Sequence, residues 1–101
     1  MAKTRDAVKL VDQMAGDDPE VGVLIAEAAI NAEVAQLIYD ARTRAGMTQQ
    51  QLAEIIGTTQ SAIARLEDAD YEGHSLSMLQ RIAEALDQQL EIHLIPKKLA
   101  A

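Results

Sequence analysis

The chain has 101 residues, about one domain, so a second catalytic or ligand-binding domain is not expected. Hydrophobic residues make up 49% of it but Phe and Trp are absent, so any core is assembled from Leu, Ile, Val, Ala and Met. Without cysteine there are no disulfides, thiolate metal sites or Cys nucleophiles, which fits a reducing cytoplasm; a net charge of -7 argues against nucleic-acid binding by bulk electrostatics.

Residues 3–15 place Ala7, Val8, Leu10, Val11 and Met14 at helical spacing and stop at Gly16. Pro19 suits the first position of a new helix, with Asp18 as its N-cap. The helical pattern then runs to Ala45, and Asn31 marks a break or bend at which a fresh helix could be capped. Its most apolar run, residues 21–30, is interrupted by Glu27 and has half of the roughly 20 residues a membrane helix needs, so neither a membrane span nor a targeting segment is expected. Val34, Leu37, Ile38, Ala41 and Ala45 recur at threes and fours as one buried face. Gly46 ends that helix, and Met47 supplies the hydrophobic contact that follows such a cap.

Thr48 opens the next helix, and Gln51 completes a capping box with it. Gly57 closes this helix after about eight residues. Thr58 and Thr59 span a turn, Thr59 can cap a third helix, and Ile63 and Leu66 form that helix's inward face. After the polar run 68–74, Ser75 caps a last helix to about Asp87, with Leu76, Leu79, Ile82, Ala83 and Leu86 on one stripe. The period then changes: Leu90, Ile92 and Leu94 alternate with Glu91, His93 and Ile95 before Pro96, which is strand patterning. A lone strand leaves its backbone groups unpaired, and pairing with a two-fold copy in a homodimer would satisfy them. The alternative is an extended tail folded back on its own helices. The reading is an all-α chain of four or five helices, divided into an N-terminal helical extension (1–30), a domain over 31–88, and a C-terminal strand and tail (89–101).

Two short helices joined by a three-residue turn with glycine make a helix-turn-helix, whose second helix enters the major groove of DNA N-terminus first. The residues so presented are Thr59, Gln60, Ser61 and, one turn on, Arg65. A glutamine amide matches adenine N7 and N6 bidentately, an arginine reaches guanine or a phosphate, and a serine serves either base. Small Ala62 and Ala64 allow close approach. The charge distribution agrees. Residues 1–30 carry three basic and six acidic side chains, residues 31–66 three of each, and residues 67–101 three basic and seven acidic, so the acidic excess lies outside the candidate reading motif.

Residues 32–86 resemble the XRE family, the helix-turn-helix domain of lambdoid phage repressors and Cro. The likeness rests on Gly46-Met-Thr-Gln-x-x-Leu-Ala53, Ile56-Gly-Thr-Thr-Gln-Ser-Ala-Ile63 and Arg65-Leu-Glu67. It implies a lambda-repressor-like fold in which Gln60 reads adenine, and Gln49, at the start of the motif's first helix, bonds a phosphate and supports the first reading residue. Thr48 and Thr58 are assigned to the DNA backbone beside it. It also implies an internal ion pair between Arg42 and Glu67, a structural role rather than readout. The last helix and the terminal Leu-Glu-Ile-His-Leu-Ile-Pro run resemble small antitoxins of the HigA and HipB type, whose strands pair across a dimer, and the N-terminal extension looks more like the HigA type. That resemblance implies an antitoxin that binds a small basic RelE-like ribonuclease toxin and represses the shared operon through a palindromic DNA operator. A stand-alone XRE repressor and an interaction protein without DNA binding are the alternatives, and the extension is either a toxin-binding arm or an addition to the core.

Nothing else carries chemistry. His74 and His93 lie apart with no second ligand at metal spacing and are expected at the surface, so neither a metal nor a cofactor is expected. There is no nucleophile elbow, phosphate loop or carboxylate pair, and the chain is not expected to be an enzyme.

Overall fold

The computed structural model describes residues 18–97, and among them forms four helices: α1 (Pro19–Arg44), α2 (Gln49–Ile56), α3 (Gln60–Leu66) and α4 (Leu76–Ala85). The helical spacing noted over residues 3–15 lies outside the described residues. Each helix begins where a short polar side chain can take orphan backbone N–H groups. Asp18 accepts from Glu20 N at 3.0 Å and Val21 N at 3.3 Å. Thr48 accepts from Gln51 N at 3.0 Å while Gln51 Oε1 accepts from Thr48 N at 2.8 Å, the reciprocal capping box expected. Thr59 and Ser75 cap α3 and α4 through Ala62 N and Met78 N.

The helix ends are equally local. Gly46 (φ 72°) and Gly57 (φ 75°) adopt the left-handed conformation that costs glycine nothing. Around Gly46, Gly46 N donates to Thr43 O and Met47 N to Arg42 O, closing both bonds of a Schellman motif. Asp87 (φ 57°) plays the same part after α4, where Gln88 N donates to Ala83 O.

Helices of seven and eight residues are marginal alone, so α2 and α3 depend on what they bury. Leu52, Ala53 and Ile56 of α2 meet Ile63 and Leu66 of α3, Ile38 of α1, Ile82 of α4 and Leu86, the residue that caps α4, in one core. Met47, Tyr71, Met78 and Leu79 pack around it.

Four expectations are corrected. Helix α1 runs through Asn31 without a break, because an interior Asn costs a helix only about half a kcal/mol while the backbone ladder continues across it. Leu37 and Leu76 are exposed: the core line of α1 is Ala35, Ile38 and Arg42, and Leu37 lies about 100° around the helix from Ile38. Ala45 is exposed as well, since α1 has already ended at Arg44. The strand expected at 89–95 is not formed among the described residues; Leu94 is fully exposed and Ile92 mostly so, because no second backbone lies alongside to complete a ladder.

By length and composition α1 could cross a bilayer, with a mean hydropathy of 1.6 over 18 residues. Its C-terminal half, however, delivers Ile38 and the charged Arg42 to the core, and Glu20, Glu27 and Glu33 stand along the rest. Among the described residues it serves as a core helix whose N-terminal half is largely exposed, and these residues extend to 48 × 23 × 21 Å.

Candidate nucleic-acid interface

Helix α3 is short enough for its two sides to be assigned residue by residue. Ile63 and Leu66 point into the core, while Gln60, Ser61 and Arg65 are exposed and Ala62 and Ala64 half-buried. The outer arc is therefore an amide, a hydroxyl and a guanidinium separated by small residues, with Ser61 and Arg65 one turn apart. Thr59 sits at the exposed start of this arc, its hydroxyl committed to capping. Thr48 is exposed and committed likewise, and Thr58, half-buried in the turn, donates its N–H to Ala53 O at 2.9 Å.

Beneath the arc runs a chain of hydrogen bonds that starts in the core. Arg42 is 8% exposed, the only charged residue buried among those described. Its Nε donates to Glu67 Oε2 at 2.7 Å and its Nη2 to Glu67 Oε1 at 3.0 Å, a bidentate pair, and its Nη1 donates to Met47 O at 2.7 Å. The hydrogen bond to Glu67 raises the Arg42 pKa above its ordinary value despite burial, so this guanidinium stays charged at any working pH. The Tyr39 ring lies 5.4 Å from the guanidinium carbon.

Glu67 Oε1 also accepts from Gln49 Nε2 at 3.0 Å, and Gln49 Oε1 accepts from Gln60 Nε2. Each link fixes the orientation of the next. Glu67 can only accept, so Gln49 must turn its NH2 towards it; Gln49 then offers its oxygen to Gln60, which must answer with N–H. The outcome is a Gln60 amide whose plane is set from inside the protein, with its oxygen and second N–H left for a ligand. That is the donor and acceptor pair that adenine accepts in the major groove. The ion pair and the support of Gln60 by Gln49, both implied by the family resemblance, are thus present as one network.

Two contacts were not legible in the sequence. Arg81 of α4 donates from Nη2 to Ile56 O, the last carbonyl of α2. His74 was expected at the surface; instead it is half-buried, its Nε2 donates to Leu66 O at 2.7 Å, the last carbonyl of α3, and it meets Tyr71 edge-on at 5.1 Å. Both helices of the motif therefore end on a side-chain donor, which suits their negative C-terminal dipole ends. The buried Nδ1 of His74 has no partner among the described residues, and nothing in the structure explains it. His93 is exposed beside Glu91, and no cluster able to hold a metal occurs among the described residues.

A helix-turn-helix family model matches residues 38–92, more than half of the chain. The chain belongs to the XRE-type helix-turn-helix family. No curated protein and no solved structure matches it. Within the matched helix-turn-helix domain, α2 and α3 are the paired helices, Gly57-Thr58-Thr59 is the turn, and α4 closes the core behind them. Family membership makes the chain a DNA-binding regulator.

Proposed function

We propose that the protein is a sequence-specific repressor of its own operon and the antitoxin of a small basic ribonuclease. The observation that carries the DNA-reading half is the network from Arg42 through Glu67 and Gln49 to Gln60, which presents one amide in fixed orientation beside the free Ser61 and Arg65 side chains. Preorganised donors lose little entropy on meeting a base edge, and specificity follows from that. Gln60 and Arg65 carry the readout, with Thr59 and Ser61 beside them. Thr48, the remaining amide hydrogen of Gln49, and Thr58 face the phosphates. A binding titration on the DNA upstream of the gene tests this: specific binding should exceed binding to scrambled DNA by at least about 10³-fold, and equal affinities would reject it.

Arg65→Ala isolates the role of its guanidinium. Arg65 is exposed, and no described side chain holds it. If it meets a phosphate, its loss reduces the salt dependence of binding by about one unit of log–log slope. An unchanged slope combined with relaxed preference at one base pair would assign it to a base instead.

One such domain presents a single short helix, and two half-sites about 34 Å apart require two copies. The tail of residues 89–97 is the proposed dimer element, since Leu90, Ile92 and Leu94 alternate on a backbone that forms no ladder among the described residues. Ending the chain after Gln88 should convert a dimer to a monomer in light scattering; a dimer that survives excludes the tail.

The antitoxin half rests on charge. The acidic excess of -3 over residues 1–30 and -4 over residues 67–101 surrounds a neutral reading motif, which favours a basic protein partner without shielding DNA contacts. Both partners place the protein in the cytoplasm. Purification from the native host at low salt distinguishes this from a lone repressor: a basic protein of comparable size should co-elute, and its absence would leave repression alone.

A further inference from the structure

Along α1 three apolar side chains recur at seven-residue spacing, Val23, Ile30 and Leu37, and each is at least half exposed. Seven residues make almost two helical turns, so the three form a nearly straight line about 21 Å long that drifts by only about 20° per step. Acids border this line at the same interval. At about 100° per residue, a side chain three positions before or after another stands about 60° to one side of it. Glu20 and Glu27 stand so to Val23 and Ile30, and Glu33 and Asp40 stand so to Ile30 and Leu37 on the opposite side. We propose that this seam docks a helix of another protein, one with apolar residues at the same spacing and lysine or arginine on both of its flanks. The proposal rests on the basic partner inferred above and names the surface that meets it.

Two observations select this occupant. The first is shape. The exposed apolar side chains form a line as narrow as one helix contact, and a helix laid along it can alternate its own apolar side chains with Val23, Ile30 and Leu37. The second is charge. From Asp18 to Asp40 the chain has no lysine or arginine, and the acids lie on both sides of the seam. A second copy of the same stretch would therefore set acid against acid whether it ran parallel or antiparallel. Lysine or arginine flanks do the reverse: their heads meet the carboxylates while their aliphatic stems cover the edges of the apolar line. The seam shares no residue with the network from Arg42 to Gln60, so it can be altered without touching the reading site.

The test titrates the full chain at low salt with two synthetic helical peptides of about 21 residues, both with leucine at the first and fourth position of each heptad, one with lysine and the other with glutamate on the flanks. The lysine peptide should bind at least about tenfold tighter than the glutamate peptide. Ile30→Ser combined with Leu37→Ser should weaken its binding at least about tenfold, with the thermal midpoint nearly unchanged because both side chains are exposed. Glu20→Lys combined with Glu27→Lys should reduce the preference for the lysine peptide at least about threefold. Equal binding of the two peptides, binding of neither, or lysine-peptide binding that the serine variant leaves intact overturns the proposal. So does self-association of the chain, or its attachment to phosphatidylcholine vesicles, that the serine variant abolishes, since the occupant is then a second copy or a bilayer. These failures remove only the seam, whereas the absence of a co-eluting basic protein from the native host removes the reading of the partner itself.

Discussion

Replacing Arg42 by alanine lowers the unfolding free energy by about 3–5 kcal/mol, the cost of stranding one member of a buried ion pair. Glu67 would keep only the Gln49 amide, its side chain being 5% exposed, and Met47 O would lose its donor. A domain of this size has about 5–15 kcal/mol in all, so the thermal midpoint should fall by at least about 12 °C in calorimetry. The double replacement Arg42→Ala with Glu67→Ala should recover part of the loss, since removing both charges leaves no unpaired ion in the core. A loss below about 1 kcal/mol in the single variant, or no recovery in the double one, would mean that the pair does not hold α1 to α3.

Gln60→Ala should weaken binding to the specific operator by about 1–3 kcal/mol and relax preference at one base pair, with the thermal midpoint nearly unchanged because Gln60 is exposed. Gln49→Ala should relax the same base pair to a smaller degree: Gln60 then keeps its chemistry and loses its orientation. The comparison separates readout from support. If Gln60→Ala binds as the unaltered chain does, the network ends on a solvated amide and reads nothing.

The two experiments probe the two ends of one structure. The same four side chains that close the core at Arg42 hold the amide at Gln60, so unfolding measurements and operator titrations should report opposite ends of the chain of bonds. Arg42 variants that still fold should therefore show blurred specificity as well as lowered stability.

What could be read from the residues was whatever depends on near neighbours. The caps at Asp18, Thr48, Thr59 and Ser75 and the left-handed glycines at 46 and 57 involve groups a few positions apart, and their chemistry admits few alternatives. The inward face of α3, Ile63 and Leu66, followed from helical spacing for the same reason. The break placed at Asn31 failed because a local preference of about half a kcal/mol cannot interrupt a ladder continuous on both sides. Leu37 and Leu76 failed because spacing identifies an apolar stripe but not its edges.

Folding alone decided the rest. Arg42 and Glu67 stand 25 positions apart, as do Ile56 and Arg81, and no periodicity links such pairs; a family resemblance supplied the first and nothing supplied the second. His74, correctly a loop residue, was expected at the surface because only the packing of α3 against that loop brings Leu66 O to its ring. The alternation at 89–95 was real as a pattern, yet a strand forms only where a second backbone completes its ladder, and among the described residues none does.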